Sequence, residues 1–322
     1  MKTVKFGACL ALAAALAGIA PAYAQYPTKP VRFILPFPPG GGTDTLARIL
    51  GAKLSDGLAQ QVILDNRPGA GANIGAEIAA KSPPDGYTLL MGNIAHTINM
   101  TLYRKLNYNF VKDFAAVSLL ASAPNIVVVH PSVPAKSVKE LVALARARPG
   151  ELDYASSGSG SSAHLAAVLM LEMTRTKMNH IPYKGGGPAV VALVSGEVSV
   201  GFATTPSVIN HVKSGKLRAL AVTGAKRSPA APELPTVSEA GIPGYEVSGW
   251  YGILVPTGTP QDIISRLHAE SVKVLKLADV TSRMAAAGFE PVGNSPAEFT
   301  AFIRNEAEKW AKVVKAAGTR VD

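Results

Sequence analysis

The sequence predicts an α/β fold in which helices flank a central, mostly parallel β-sheet. Short apolar runs alternate with segments of helical spacing along most of the chain. In each half of the sequence, one predicted strand runs directly into a glycine-rich turn and then into a helix: LPFPPGGGTDTLAR from Leu35, and YASSGSGSSAHL from Tyr154. The 322 residues suffice for two domains, and we expect two lobes rather than one large domain.

The amino terminus has the layout of a secretory signal peptide. Lys2 and Lys5 precede an apolar run over residues 6–20, and a small-residue cleavage site ends at Ala24. The run is short for a membrane anchor, so we expect cleavage after Ala24 and export. Removing 24 of the 322 residues leaves 298, and it removes the one cysteine, Cys9. The mature protein therefore has no disulfide and no thiol.

The net charge gives little sign of a polyanionic partner. The formal charge of +10 becomes +8 once Lys2 and Lys5 are removed, and the remaining basic residues are scattered. Nucleic-acid binding usually requires a basic patch or stripe, so we expect none. A modest positive field favours the approach of small anions.

The first part of the chain alternates strands and helices as βαβ units do. Turn residues at 66–69 and Pro131 mark the ends of two of its strands. The spacing predicts strands at 31–37, 61–65, 88–92 and 126–130, and helices at 43–58, at 73–81 and from about residue 97.

The second part continues this alternation. Residues 224–249 are rich in Pro, Gly and Glu, which predicts a long surface excursion between lobes rather than a buried element. The spacing predicts strands at 152–155, 179–183, 198–203, 217–222 and 250–255, and helices at 138–147, 161–173, 189–195, 206–213, 261–278 and 296–317.

The first glycine-rich turn can bind an anion through its backbone. Gly40, Gly41 and Gly42 have no Cβ, so a ligand oxygen can approach their N–H groups, and the start of the following helix adds a positive dipole. A tight turn that binds nothing is the alternative for such a motif taken alone.

The serine-rich turn offers the same chemistry with hydroxyl groups. Residues 156–164 place five serines and two glycines between a strand and a helix. Two such turns predict a ligand clamped between lobes, with one carboxylate end held by each, as a dicarboxylate would be.

The composition of the serine-rich turn also resembles that of other functional loops. Residues 158–163 match a dinucleotide fingerprint, but no acidic residue follows at the distance needed to bind a ribose, and the chain has no phosphate-binding loop. An exported serine hydrolase is the main enzymatic alternative, because serines crowd near His164. The nucleophile-elbow motif is absent, and helix capping by Ser161 or Ser162 explains these serines equally well.

Metal binding is not predicted. The six histidines, at positions 96, 130, 164, 180, 211 and 268, show no close pair at ligand spacing, and we expect no metal and no cofactor. His96 and His164 each adjoin a polar loop, so either could donate to a carboxylate or could simply pack or cap.

A series of motifs along the mature chain carries a family resemblance. Besides the two turns quoted above, they are NRPGAGANIGA from Asn66, SPPDGYTLL from Ser82, IPYKGGGPAV from Ile181, SGKLRALAVT from Ser214, LPTVSEAGIPGYE from Leu234 and WYGILVPTGTP from Trp250. In this order they resemble the substrate-binding receptors of tripartite tricarboxylate transporters, the Bug family.

The resemblance implies a two-lobed periplasmic binding protein of type II that closes on its ligand like a Venus flytrap. It implies a monomer that delivers a carboxylate unchanged to a membrane permease, although a receptor for sensing remains an alternative. We expect residues 25–123 and 224–322 to form lobe 1 and residues 124–223 to form lobe 2.

The family's motifs also imply which residues contact the ligand. Backbone amides, hydroxyls and ordered waters would hold a carboxylate, and Asp44 would cap its helix instead. The expected ligand contacts are Phe37, Pro39, Gly40, Gly41, Gly42, Thr43, His96, Thr97, Ser156, Ser157, Gly158, Ser159, Ser161, Ser162, His164, Thr204 and Thr205.

One departure from the family pattern bears on the ligand. Many relatives carry an acidic or amide residue near position 204, whereas this chain has Thr204 and Thr205. We therefore hypothesise a carboxylate without an ammonium group: a C4 to C6 dicarboxylate, a tricarboxylate or an aromatic acid. The alternative is that both threonines are only strand-end hydroxyls.

Overall fold

A computed structural model describes residues 26–316 of the chain. The predicted signal peptide lies outside the described residues. The described part forms a ten-stranded sheet with helices on its faces. Its strands are β1 (Val31–Leu35), β2 (Val62–Asn66), β3 (Thr88–Asn93), β4 (Phe114–Val129), β5 (Asp153–Ser156), β6 (Asn179–Pro182), β7 (Val200–Thr204), β8 (Arg218–Val222), β9 (Ser248–Pro256) and β10 (Glu290–Pro291).

Ten helices accompany these strands in the described part of the chain. They are α1 (Gly42–Leu58), α2 (Asn73–Ala80), α3 (Ile94–Leu102), α4 (Val138–Ala147), α5 (Ser162–Thr174), α6 (Gly186–Ser195), α7 (Thr205–Lys213), α8 (Gln261–Leu275), α9 (Ala278–Ala286) and α10 (Pro296–Ala316). None of the helices within residues 26–316 is long and apolar enough to cross a membrane.

The sheet has two parts that share strand β4. Strands β1, β2 and β3 are parallel, and β9 runs antiparallel to both β3 and β4. On the other side of β4, strands β7 and β8 run antiparallel to it, and β5 and β6 are parallel to β7. Each part therefore has four strands of one direction and one principal reversed strand. The predicted α/β fold with a mostly parallel sheet is confirmed.

Strand β4 passes from one part to the other at Pro124 and Asn125. Pro124 pairs with Ser248 of β9, whereas Asn125 pairs with Thr204 of β7. We call β1, β2, β3, β9, β10 and the start of β4 the first half-sheet, and the remaining strands the second half-sheet. The lobe boundaries given above stay a prediction. The sequence predicted only the second part of β4. The first part was not predicted, because its pairing with β9 is irregular and its sequence does not alternate.

The alternation of side chains along β1 shows why helices cover both faces. Phe33 and Leu35 point into one core with Leu46 of α1, whereas Ile34 points into the other. Residues two apart on a strand share a face, so a strand buried on both faces is apolar throughout.

Two predicted helices differ in the structure. The helix predicted at 261–278 ends at Leu275, and α9 begins after extended Leu277. The helix predicted from about residue 97 begins at Ile94, because Asn93 caps it. A capping residue at a strand end was the signal that was overlooked.

The predicted surface excursion at 224–249 is also wrong in part. The segment carries no named strand or helix before β9, but it is packed into the protein. Tyr245 is 1% exposed, and its hydroxyl donates to the Ala166 carbonyl over 2.7 Å. Val237 and Val247 are buried beside it. Turn-forming composition predicted the irregular backbone correctly but concealed these apolar contacts.

Candidate ligand-binding site

The first turns of five helices surround one cavity between the half-sheets. The residues that precede these helices are Gly41 (α1), Asn93 (α3), Ser161 (α5), Gly185 (α6) and Thr204 (α7). The cavity holds about 430 Å³ of space between atoms, a volume that includes solvent at its open side. It is lined by Phe37, Gly41, Gly42, Thr43, Asn93, Ile94, Ala95, Ser157, Ser161, Ser162, Gly186, Thr204, Gly249, Trp250 and Tyr251.

The electrostatics of this cavity come from the backbone. Among residues 26–316, those that line it carry no charged side chain. Helix amino termini present unpaired N–H groups and a partial positive charge, which favours an anion. Five of them around one space can bind a carboxylate without lysine or arginine, and the lining offers no carboxylate to pair with an ammonium group.

The first glycine-rich turn leaves its helix open to the cavity. Gly41 precedes α1 in extended conformation, and within the described residues no side chain caps this helix. Asp44 was expected to cap it. Its Oδ2 instead accepts from the N–H of Gly40 over 3.1 Å and from Nε of Arg48 over 2.9 Å, and Asn66 donates to its Oδ1. Asp44 thus fixes the turn and leaves the helix amides to a ligand.

The charge state of Asp44 follows from these contacts. Burial alone would raise the pKa of Asp44, but the hydrogen bonds from Arg48, Gly40 and Asn66 outweigh burial and hold that pKa below its ordinary value. The side chain is therefore an ionised acceptor throughout the neutral range.

Gly42 allows a tyrosine to reach the cavity wall. A Cβ at Gly42 would collide with the hydroxyl of Tyr251 and would lie 3.2 Å from Oγ1 of Thr204. Thr204 in turn shares a hydrogen bond of 2.6 Å with Ser207. Burial raises the pKa of Tyr251 well above its ordinary value, although the hydrogen bond with Thr204 acts the other way. The Tyr251 hydroxyl is therefore a protonated donor at the wall.

The serine-rich turn is organised by its own side chains. Ser161 Oγ accepts from the N–H of His164 over 3.2 Å and so caps α5. Nδ1 of His164 accepts from the N–H of Gly160 over 3.2 Å. Burial lowers the pKa of His164 to about 4, so the ring is neutral and can accept this bond. His164 therefore shapes the turn, and it does not line the cavity.

Ser156 and His180 form the one serine–histidine side-chain pair of this turn in the described chain. Ser156 Oγ and His180 Nε2 lie 2.6 Å apart, but Ser156 is 1% exposed and lies outside the cavity wall. Burial, with a smaller contribution from His164, lowers the pKa of His180 to about 3, which makes it a poor general base. Within residues 26–316 no acidic side chain contacts His180, so this pair lacks the geometry of a hydrolase triad.

A third glycine-rich turn faces the first one across the cleft. Gly185 to Gly187 open α6, and a Cβ at Gly187 would lie 2.8 Å from the carbonyl oxygen of Pro39. A Cβ at Gly41 would lie 3.6 Å from the Gly186 nitrogen. The two half-sheets therefore meet here backbone to backbone, and Gly187 allows this contact because it has no Cβ.

About half of the sequence-predicted ligand contacts line the cavity. The others are buried behind it, line a neighbouring space or, as Pro39 and Gly40, are exposed, and the role of every one in binding stays a prediction. The lining set is Phe37, Gly41, Gly42, Thr43, Ser157, Ser161, Ser162 and Thr204; the others are Pro39, Gly40, His96, Thr97, Ser156, Gly158, Ser159, His164 and Thr205.

His96 and Thr97 are placed away from the cavity. Both are fully buried. Nδ1 of His96 accepts from the N–H of Asn93 over 3.1 Å, completing the cap of α3, and its ring stacks on Phe110. Burial lowers the pKa of His96 to about 4. Thr97 donates to the Ile94 carbonyl, and Thr205 donates to the Pro124 carbonyl. This geometry gives His96 and Thr97 structural roles and does not support ligand contact.

A second, outer chamber adjoins the cavity. Phe37 and Ser157 line both spaces, and Gly158, Ser159 and Lys184 line only the outer one, which holds about 590 Å³ including its open mouth. The cleft therefore extends outward from the ring of helix termini.

Several lining residues were missed from the sequence. Gly186 lies in IPYKGGGPAV, which repeats the strand–glycine–helix pattern and could have been recognised by it. Asn93 is a capping residue at the end of a strand. Gly249 and Tyr251 lie in an ordinary apolar strand, and only the pairing of β9 with β3 and β4 brings them here. Among residues 26–316, no three metal-ligating side chains come together as a metal site.

Comparison with known proteins finds similar sequences and structures over most of the chain. The family model described as "Tripartite tricarboxylate transporter family receptor" matches residues 46–319. The protein BugT of Bordetella pertussis is 38% identical over the full length of both chains. The structure of Rpa4515 of R. palustris with adipate shows 38% identity and a TM-score of 0.89, covering 92% of this chain and 99% of that one. MatC of Rhodopseudomonas palustris with bound malate shows 31% identity and a TM-score of 0.85, covering 90% and 100%.

Proposed function

The chain belongs to the tripartite tricarboxylate transporter receptor family of periplasmic solute-binding proteins, and from that premise we propose that it captures a small organic dicarboxylate, tricarboxylate or aromatic acid between its two half-sheets. The observation that supports this most is the ring of five helix amino termini around a cavity without charged side chains. The carboxylates of adipate and malate in two related structures are ligands of the same chemical class.

We further propose that the ligand lacks an ammonium group. The cavity wall supplies donors from helix amides and from the hydroxyls of Ser161 and Tyr251, but no anionic acceptor among the described residues. An ammonium group placed there would lose its hydration without gaining a counter-charge. Aspartate and glutamate are therefore expected to bind more weakly than the matching diacids.

Isothermal titration calorimetry of the mature protein tests both proposals. Adipate, succinate and malate should bind with measurable heat, and aspartate should bind at least roughly tenfold more weakly than succinate. Tighter binding of aspartate than of succinate or adipate would contradict the ammonium-free ligand. Absence of binding by every carboxylate tried would contradict the proposed function.

Export, delivery and the absence of catalysis complete the proposal. The protein would be exported with removal of residues 1–24, bind as a monomer and pass its ligand unaltered to a membrane permease. Deletion of its gene should abolish uptake of the acid that calorimetry identifies; unchanged uptake would instead indicate a sensing receptor. Recovery of the ligand chemically unchanged after long incubation separates a receptor from a serine hydrolase.

A closed, ligand-bound state is the expected working form. A ligand that contacts both half-sheets stabilises closure through the contacts it gains there. A shift from mostly open to mostly closed requires about 5 kcal/mol of differential binding. Several charge-assisted hydrogen bonds supply free energy of that order.

A further inference from the structure

Asn125 occupies the point where the chain passes between the half-sheets. It is fully buried, it follows the last residue of β4 that pairs with β9, and it pairs with Thr204 of the cavity wall. Its N–H donates to Oγ1 of Thr223 over 2.8 Å, and its carbonyl accepts from the N–H of Thr223 over 2.9 Å.

The same network reaches the return crossing. Oγ1 of Thr223 donates to the carbonyl of Val247 over 2.6 Å, and the N–H of Val247 donates back to the Thr223 carbonyl over 2.8 Å. Val247 immediately precedes β9, by which the chain returns to the first half-sheet. The backbone of Asn125 therefore belongs to the hydrogen-bond network that links the two crossings between the half-sheets.

The side chain of Asn125 contacts Ser162 of the cavity wall. Ser162, which lines the cavity, donates its hydroxyl proton to Oδ1 of Asn125 over 3.2 Å. Nδ2 of Asn125 is buried and has no hydrogen-bond partner within the described chain. In this arrangement Ser162 presents only lone pairs to the cavity, which would repel a carboxylate.

A half-turn of the Asn125 amide changes the polarity of Ser162. Nδ2 would then donate to Oγ of Ser162, and the hydroxyl proton would be free to point at a carboxylate oxygen. The rotation gives Nδ2 a partner and leaves Oδ1 without one, so what favours it is the new hydrogen bond from Ser162 to the anion, which is stronger than one to a neutral amide. An anion in the cavity thus favours the rotated amide.

We infer that Asn125 is a positioning residue that makes Ser162 a donor to the ligand carboxylate and so couples occupation of the cavity to the crossings between the half-sheets. This inference rests on the proposed carboxylate binding. Ser162 acts on the ligand, whereas Asn125 acts only through Ser162 and through its backbone contacts with Thr223.

A double-mutant cycle with adipate tests the first part. Asn125→Ala and Ser162→Ala should each weaken binding by roughly tenfold, and the double variant should lose no more than the larger single loss. Multiplied losses, or an unchanged affinity of Asn125→Ala, would overturn the inference. A purely structural role for Asn125 would give independent, multiplied effects.

Asn73→Ala is the matched control. Asn73 is also buried with an unpartnered Nδ2, and its Oδ1 accepts from Asn99 and Tyr108, but it does not line the cavity. Its substitution should leave adipate affinity within about twofold of the wild type and should combine independently with Ser162→Ala.

Hydrogen exchange tests the coupling, and it needs only Ser162→Ala if Asn125→Ala does not fold. Saturating adipate should slow exchange of the Thr223 and Val247 amides by roughly tenfold or more in the wild type, and clearly less in saturated Ser162→Ala. Equal slowing in both proteins would overturn the coupling. If adipate and the other acids fail to bind the wild type at all, the proposed function fails instead.

Discussion

The two turns first recognised in the sequence present different donors to one cavity. The turn before α1 has no side-chain cap, and Asp44 holds it from behind, so the helix amides face the cavity bare. The turn before α5 is capped by Ser161 and braced by His164, so it faces the cavity with hydroxyls. A ligand clamped between them would meet fixed backbone donors on one side and rotatable side-chain donors on the other.

This difference predicts unequal sensitivity to substitution. Fixed backbone donors tolerate no new atom in front of them but cannot be removed by changing a side chain. Hydroxyl donors can be removed individually at modest cost.

The largest effect is expected at Gly42. In Gly42→Ala the new methyl group would collide with the hydroxyl of buried Tyr251 and displace the start of α1. We expect adipate affinity, measured by calorimetry, to fall by roughly a hundredfold, since overpacking costs about 1–3 kcal/mol. Gly51→Ala on the same helix is the control, because its Cβ meets Leu64 at an ordinary 3.4 Å. Full affinity in Gly42→Ala would remove the first turn from the binding site.

Gly187→Ala tests the contact between the half-sheets. Its Cβ would lie 2.8 Å from the Pro39 carbonyl, so closure would be obstructed without loss of any donor. We expect roughly tenfold weaker adipate binding and a larger radius of gyration by small-angle scattering with ligand present. Gly51→Ala, whose Cβ meets Leu64 at an ordinary 3.4 Å outside the cavity, is again the control and should keep the wild-type affinity. A compact, tight-binding Gly187→Ala would show that the halves need not meet here.

Ser161→Ala separates capping from ligand binding. Loss of the cap to His164 should lower the free energy of unfolding by about 1 kcal/mol in urea denaturation, and adipate affinity should fall severalfold because Ser161 also lines the cavity. Ser137→Ala removes an equivalent cap, to Glu140 in α4, far from the cavity. It should cost similar stability and leave affinity unchanged. Equal affinities in the two variants would limit Ser161 to capping.

The last prediction is a pH dependence of the free energy of unfolding that Asp44 carries. Because the folded pKa of Asp44 is lowered, its contribution to stability is complete above the unfolded value of 3.8 and is lost as the pH falls through the folded value. Asp44→Asn should therefore be less stable than the wild type by about 1–2 kcal/mol at neutral pH, and the gap should close as the pH falls below the folded pKa of Asp44. Urea denaturation across this range measures it. A gap independent of pH would mean that the charge of Asp44 does not fix the turn.

The sequence predicted the parts of the site that are local. Strand, glycines and helix follow one another directly at Gly40 to Gly42, so adjacent residues determine the geometry of that turn. The same holds for the cap at Ser161, which was one of the two explanations kept for the serines. The class of fold followed from the alternation of apolar runs.

The parts that failed depend on distant pairing. Tyr251 reaches the cavity because β9 pairs between β3 and β4, and nothing in its neighbours along the chain reports this. Segment 224–249 has turn-forming composition, yet Tyr245 anchors it to α5. His96 adjoins a polar loop in sequence, but the strand-to-helix junction at Asn93 turns its ring into the core, where it stacks on Phe110.

In the ring of helix amino termini, backbone amides would hold the acid group of a ligand, and side chains would surround the rest of it. A lysine or arginine that binds a carboxylate can be lost by a single codon change, whereas a peptide N–H is present whatever residue the codon specifies, proline excepted. The side chains that surround the rest of the cavity, such as Phe37, Ile94 and Thr204, are then free to vary without abolishing the grip on the acid group. Point mutations of the cavity side chains could therefore adapt such a receptor to acids that differ outside the carboxylate. The backbone amides that would hold the carboxylate would be kept at every intermediate step.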